Sequence, residues 1–128
     1  MVYLRLDDLM RIRDHVSVGQ GARIEIMNHN QLMAALAAPR QAFFGTEAFP
    51  TLAEKAGALV YALVQGHPFW DGNKRIASEA LLLFLARNGA RLHAGADELK
   101  GFTREIALGR LRDGDVAQWL ADHIEDQT

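Results

Sequence analysis

Residues 67–75, in the order His-Pro-Phe-Trp-Asp-Gly-Asn-Lys-Arg, form the densest collection of reactive groups in the chain. His67 can accept a proton near neutral pH, because an imidazole titrates in that range. Asp71 offers the hard oxygen ligands that magnesium prefers. Backbone amides at a helix start attract phosphate groups, and Lys74 and Arg75 add two cations at the same place. A base, a metal ligand and an anion cradle this close together predict phosphoryl or nucleotidyl transfer.

Each of these residues also has an ordinary structural interpretation. A histidine before a proline commonly ends a helix, and a Gly-Asn pair commonly caps one. Lys74 and Arg75 fit a solvated helix face, with Arg75 pairing with Glu79 one turn later. Phe69 and Trp70 fit the core or its rim better than a platform for substrate. The catalytic interpretation therefore depends on the co-occurrence of these residues and not on any one of them.

Helical periodicity places this segment between two apolar helices. A capping box at residues 51–54, Thr-Leu-Ala-Glu, predicts a helix that continues through Leu63. That helix is apolar on most sides, which predicts a central position. The next helix is expected to begin near Asn73 and to stop at residues 87–89, with Gly89 in the left-handed capping position.

The remaining periodic segments also read as helices, so the predicted fold class is all-α. These further helices are expected over residues 6–15, 31–38, 97–111 and 116–124. Asn28 or Asn30 would cap the second helix and Asp97 the fifth. Residues 40–50 are expected to form a loop or hairpin, and residues 125–128 a frayed polar tail.

The composition excludes several classes of protein. The chain has 128 residues, with 14 Lys and Arg against 16 Asp and Glu, which gives a formal net charge of −2. That balance argues against direct binding of nucleic acid or of an anionic membrane. The absence of cysteine removes disulfides and thiolate chemistry, and the acidic start does not resemble a signal peptide. We expect a single domain over residues 1–128 that works in the cytoplasm.

Residues 67–75 resemble the Fic motif, His-x-Phe-x-(Asp/Glu)-Gly-Asn-(Gly/Lys)-Arg. Its specified positions are filled by His67, Phe69, Asp71, Gly72, Asn73 and Arg75. Nucleotidylating members usually carry a second glycine where this chain has Lys74 and a second arginine where it has Ser78. Both departures are typical of the Doc branch, the death-on-curing toxins. The resemblance runs from about residue 32 to residue 120 and is weaker over residues 19–29, and it implies a Fic-like helical domain of about six helices.

The resemblance also implies a function and a set of roles. Members of the Doc branch use ATP to phosphorylate a threonine of translation elongation factor Tu, which arrests translation. By similarity, ATP and Mg²⁺ are the expected cofactors, with Asp71 as the metal ligand. His67 would take the proton of the target hydroxyl, and Arg75 would neutralise the charge on the transferred phosphate, with Lys74 in the same catalytic set. ATP phosphates would be bound by four consecutive residues, Gly72, Asn73, Lys74 and Arg75.

Lys74 and Ser78 favour phosphoryl transfer over AMP transfer. AMP transfer requires the α-phosphate in the anion hole with the outer phosphates continuing past it, and Lys74 fills part of that path. Ser78 replaces an arginine that would bind those outer phosphates. A protein adenylyltransferase is the first alternative, and a catalytically silent module that pairs with an antitoxin is the second.

Residues 43–50 resemble the flap that aligns a target segment by backbone pairing, just before the central helix. Phe44, Gly45 and Thr46 are its expected target-positioning residues, and an ordinary hydrophobic loop over the core is an equal alternative. Fic proteins that inhibit themselves carry Ser/Thr-x-x-x-Glu, and no serine or threonine here has glutamate four residues later. We therefore expect a separate cognate antitoxin that docks a helix in an apolar groove of this protein.

Overall fold

A computed structural model describes residues 1–126, and helices dominate it. Its helices are α1 (Leu6–Val18), α2 (His29–Ala37), α3 (Leu52–Gln65), α4 (Asn73–Arg87), α5 (Ala96–Ala107) and α6 (Asp113–His123). A short 3-10 turn, Ala38–Arg40, follows α2. Its strands are β1 (Ala42–Phe43), β2 (Thr46–Glu47), β3 (Ala90–Leu92) and β4 (Ile124–Asp126). The expectation of a helical fold with about six helices is confirmed for this part of the chain.

Helix α3 lies at the centre of the molecule, as its apolar sequence predicts. It packs against α2, α4, α5 and α6. Its start is the predicted capping box: the Thr51 hydroxyl accepts the Glu54 N–H at 3.1 Å, and the Glu54 carboxylate accepts the Thr51 N–H at 3.3 Å. The buried apolar side chains of all six helices form one core around α3.

Helix α1 is clamped to the far end of α4 by an ion pair between the buried Asp8 carboxylate and the partly exposed Arg87 guanidinium. Both oxygens of Asp8 accept from the Arg87 guanidinium, at 2.7 and 2.8 Å, and Oδ2 also accepts the N–H of Arg5 at 2.8 Å. The hydrogen bond from Arg87 holds the pKa of Asp8 below its usual value, although burial opposes the shift. Beside this pair, the Asn88 side chain bonds both backbone groups of Val2, at 2.7 and 2.9 Å.

A two-residue turn joins β1 and β2 into a hairpin that comes directly before α3. Ala42 pairs with Glu47 and Phe43 with Thr46, so the expected hairpin is present. Residues 41–47 are all exposed. This exposure contradicts the alternative of a hydrophobic loop that covers the core.

Several predicted boundaries are wrong near the end of the chain. Helix α5 begins at Ala96 rather than after an Asp97 cap, and it ends at Ala107, four residues before the predicted position. The chain turns at Gly109, where φ is +75°. The predicted polar tail is wrong at residues 125 and 126, which belong to β4 and pair with β3; residues 127 and 128 lie outside the described part. Over residues 1–126, no helix combines the length and apolar character needed to cross a membrane.

Candidate active site

The loop between α3 and α4 faces a cavity of about 670 Å³. This volume lies within the range of roughly 300–1,000 Å³ that is typical of small-molecule sites. All the residues predicted for catalysis, phosphate binding and metal binding line it: His67, Asp71, Gly72, Asn73, Lys74 and Arg75. The predicted flap residues, Phe44, Gly45 and Thr46, do not line the cavity and lie instead at the exposed tip of the hairpin.

His67 leaves the end of α3 with an unusual backbone conformation. Its φ is +45°, a region that costs about 1–3 kcal/mol for a residue with a side chain. Two residues later Phe69 is only 1% exposed and belongs to the hydrophobic core. The loop is thus anchored by Phe69 while the His67 imidazole stays exposed to the cavity. Trp70, next in the chain, is 69% exposed and lies at the cavity rim.

The Asn73 side chain holds the conformation of this loop through two hydrogen bonds to its backbone. Its Oδ1 accepts the Phe69 N–H at 3.0 Å, and its Nδ2 donates to the Phe69 carbonyl at 2.8 Å. The side chain is buried, so these two bonds use the polar groups that could otherwise meet a ligand. What Asn73 can offer an anion is therefore its backbone N–H.

Gly72 begins α4 in the left-handed conformation, with φ +72°. A Cβ at this position would lie 3.0 Å from Ile24 Cδ1 and 3.5 Å from Val16 Cγ1. The backbone therefore favours glycine here, and a Cβ would also press on the end of the Ile24 side chain. The Gly72 N–H bonds to Asp71 Oδ1 at 2.8 Å, which leaves the second oxygen of this exposed carboxylate open to the cavity.

The first turn of α4 concentrates unpaired donors. Across residues 1–126, no hydrogen-bond acceptor meets the backbone N–H of Asn73, Lys74 or Arg75. In the same part of the chain, the exposed side chains of Lys74 and Arg75 have no ion-pair partner, and Glu79 lies beside His15 at 3.3 Å and not beside Arg75. Unpaired N–H groups at a helix start, together with the unpaired side-chain charges of Lys74 and Arg75, form an anion-binding site.

Asp71 fits a magnesium ion that takes its other ligands from a substrate. Among the described residues, no cluster of three or more His, Asp or Glu side chains could hold a metal ion alone. Magnesium commonly binds through one or two carboxylates, with water and substrate phosphates completing the octahedron. A single open carboxylate beside an anion cradle matches that mode of binding.

Buried polar residues on α1 brace the catalytic loop through the segment that precedes α2. The Arg13 guanidinium donates to the Ile24 carbonyl at 3.0 Å, and the Ser17 hydroxyl accepts the Ile24 N–H at 2.9 Å. Ile26 then forms a β-bridge with Phe69 in the loop. Sequence reasoning missed this brace, because an arginine and a serine on an amphipathic helix are typical of a solvated face.

Helix α5 supplies a further wall of the cavity, with Leu99, Lys100 and Thr103 among its lining residues. Lys100 adds a cation to those of Lys74 and Arg75. Nothing in the sequence of α5 signals this role, since it depends on how α5 packs against α4. Taken together, the cavity suits a polyanion with a bound magnesium ion, and His67 is placed to deprotonate a hydroxyl group.

Comparison with known proteins shows similarity to one family. The family model of the Fic/DOC family matches residues 3–85, which include the brace, the hairpin and the catalytic loop. Toxin Doc from Mycolicibacterium smegmatis is 38% identical over 108 residues, which cover 83% of this chain and 81% of that protein. Protein kinase doc from Escherichia phage P1 is 36% identical over 80 residues, which cover 62% of this chain and 63% of that protein.

Proposed function

This chain belongs to the Fic/DOC family, and we propose that it is a Doc-type toxin that uses ATP to phosphorylate a hydroxyl group of a protein. The observation that carries the proposal is the first turn of α4, where unpaired backbone N–H groups, Lys74 and Arg75 meet in one cavity. The relatives named Toxin Doc and Protein kinase doc support the same assignment.

The mechanism that we propose uses the residues that line this cavity. The target hydroxyl oxygen attacks the γ-phosphorus of ATP while His67 takes the hydroxyl proton, and the bond to the ADP oxygen breaks. The N–H groups of α4 bind the phosphoryl oxygens, and Arg75 and Lys74 stabilise the charge that spreads over them. Magnesium, held by Asp71, would neutralise the phosphates of ATP.

Ser78 supports kinase activity over adenylyl transfer. Its hydroxyl donates to the Lys74 carbonyl at 2.9 Å, one turn back in the same helix. A serine is also neutral. Ser78 therefore does not supply the cation that the outer phosphates would require if the α-phosphate occupied the cradle. Lys74, in turn, gives the γ-phosphate a counter-charge at the place where a nucleotidylating member has glycine.

The target and the partners follow from the resemblance to the Doc branch. We propose a threonine of elongation factor Tu as the acceptor and a cognate antitoxin, docking a helix in an apolar groove, as the restraint. The whole chain, residues 1–128, would act as one domain in the cytoplasm, without direct contact to nucleic acid or membrane. The name of the relative Toxin Doc supports the proposal that a cognate antitoxin exists.

Labelled ATP tests the proposal directly. The protein is incubated with elongation factor Tu and ATP that carries the label at either the α- or the γ-phosphate. We expect transfer from the γ-position alone, and its loss in His67→Ala at an unchanged melting temperature. His93→Ala is the matched control, because His93 is an exposed histidine outside the cavity, near Glu125. Transfer from the α-position alone would establish the adenylyltransferase instead.

Expression in cells separates an enzyme from a silent binding module. Growth should stop when the wild-type protein is produced without antitoxin, and His67→Ala should restore it at equal protein levels. Equal growth arrest by wild type and His67→Ala would favour the binding module.

A further inference from the structure

The β1–β2 hairpin has few internal contacts that could fix its orientation relative to the helices. Residues 41–47 are exposed, and only two residue pairs form its ladder. An isolated two-stranded hairpin is marginally stable in water. A defined orientation of this hairpin therefore depends on contacts between its base and the helices.

Lys55, in the first turns of α3, makes these contacts. Its side chain is 2% exposed, and its ammonium donates to Glu47 Oε1 at 2.8 Å and to the Phe49 carbonyl at 2.6 Å. Glu47 lies in β2 opposite Ala42. One buried cation thus joins the second strand of the hairpin, and the chain that follows it, to the central helix.

The ammonium group remains charged in this environment. Burial lowers the pKa of Lys55, but the hydrogen bond to Glu47, the interactions with Tyr3 and the charge of Glu47 together raise it overall. Lysine is rarely buried unless it is paired, and here only the lysine of the pair is buried, because the Glu47 side chain is 55% exposed. The two hydrogen bonds from its ammonium are directional and join Glu47 and the Phe49 carbonyl to α3.

We propose that Lys55 is a positioning residue, which fixes the hairpin in the orientation that aligns the target hydroxyl with the active site. The inference rests on the proposed function, in which the hairpin tip at Phe44, Gly45 and Thr46 contacts the protein substrate. Lys55 does not line the catalytic cavity, so it touches neither ATP nor the reacting atoms. Its loss should therefore weaken the use of the protein substrate and leave ATP binding unchanged.

Two variants and one control measure this effect. Lys55→Met keeps the apolar stem and removes both hydrogen bonds, whereas Glu47→Gln removes the charge and leaves the bond to Phe49. Arg91→Met is the control, because it removes an ion pair at 3.2 Å between β3 and β4, away from the hairpin. We expect the KM for the protein substrate to rise about tenfold in Lys55→Met and about threefold in Glu47→Gln, as is usual for charge-assisted bonds. The Kd for ATP should change less than about twofold in all three variants.

Hydrogen exchange gives a readout that does not depend on catalysis. The Ala48 N–H bonds to the Gln41 carbonyl at 2.9 Å, at the base of the hairpin. Its exchange should become about ten times faster in Lys55→Met, while amides in the middle of α3 keep their protection. Should Lys55→Met fail to fold, Glu47→Gln carries both measurements.

The outcomes distinguish the two proposals. A folded Lys55→Met protein with wild-type KM for the protein substrate and unchanged exchange at Ala48 would overturn the role of Lys55. An equal loss of ATP affinity would overturn it as well, because the residue would then act on the whole site. If the wild-type protein transfers no phosphoryl group, the proposed function fails, and the exchange data still decide whether Lys55 fixes the hairpin.

Discussion

Gly72→Ala should damage both the fold and the catalytic cradle, and Gly89→Ala is its matched control. Both glycines have a left-handed backbone, with φ of +72° and +73°. A Cβ at Gly89 meets nothing within 4 Å, whereas a Cβ at Gly72 lies 3.0 Å from Ile24 Cδ1. The two variants therefore share the backbone cost and differ in the contact with Ile24.

The size of each effect follows from these two terms. The left-handed conformation costs a residue with a Cβ about 1–2 kcal/mol, which is the expected loss in the free energy of unfolding for Gly89→Ala. Gly72→Ala adds about 1–2 kcal/mol of overpacking, because Ile24 is 5% exposed and both of its backbone groups are bonded to α1. With roughly 3–5 °C for each kcal/mol in a chain of this length, Gly72→Ala should melt about 3–10 °C below Gly89→Ala.

Activity should separate the two variants further. Gly72 begins α4, and its carbonyl accepts the Ile76 N–H at 2.8 Å, so relief of the Ile24 contact shifts the turn that carries the anion cradle. A misplacement of about 1 Å can cost a hundredfold in rate, and the smaller shift expected here should cost several-fold, whereas Gly89→Ala should keep wild-type turnover. Thermal unfolding by circular dichroism and γ-phosphate transfer test both points. If the two variants melt together, or if Gly72→Ala keeps full activity, the reasoning from the Ile24 contact is wrong.

Three further substitutions test other parts of the site and its support. Asp8→Asn should lower the free energy of unfolding by about 1–3 kcal/mol at pH 7, because it weakens the hydrogen-bonded ion pair with the partly exposed Arg87. Since the folded pKa of Asp8 is depressed, this stabilisation is complete above the unfolded value near 3.9 and is lost as pH falls through the folded pKa. If urea unfolding gives the same difference in free energy between wild type and Asp8→Asn at every pH, this reasoning is wrong. Asn73→Ala should cost about 2–3 kcal/mol, because the Phe69 N–H and carbonyl lose their partner, and calorimetry with a transfer assay should show that both stability and turnover fall. Arg13→Met should reduce kcat and leave the Kd for ATP within about twofold, because the brace orients the loop and makes no contact with the cavity; an unchanged kcat would show that the loop keeps its shape without Arg13.

The features that the sequence predicts well are those with local signals. The Thr51–Glu54 capping box, the start of α4 after Gly72 and the left-handed Gly89 each depend on a few neighbouring residues, and all are present in the structure. The motif likewise places its residues together because a tight loop and one helix turn carry them all. Such positions need no knowledge of the rest of the fold.

The features that the sequence did not reveal depend on partners far along the chain. Strand β3 pairs with β4 across more than thirty residues, for example Arg91 with Glu125, and neither segment shows alternation long enough to predict a strand. Arg13 and Lys55 are charged residues on helices, where periodicity predicts solvent exposure, yet both are buried against backbone carbonyls. Only the packing of α1 and of the hairpin decides these environments.

The clamp between α1 and α4 ties the shape of the catalytic loop to contacts between residues far apart in the sequence. Asp8 and Arg87 are 79 residues apart, and Val2 and Asn88 are 86 apart. The brace from Arg13 depends on the same docking of α1, since it reaches the catalytic loop only from that helix. A chain without a docked α1 would still contain every residue of the motif but would lose the hydrogen bonds from Arg13 and Ser17 to Ile24 that support the loop. We therefore expect phosphotransfer to require an intact, docked α1, although that helix carries no residue of the motif.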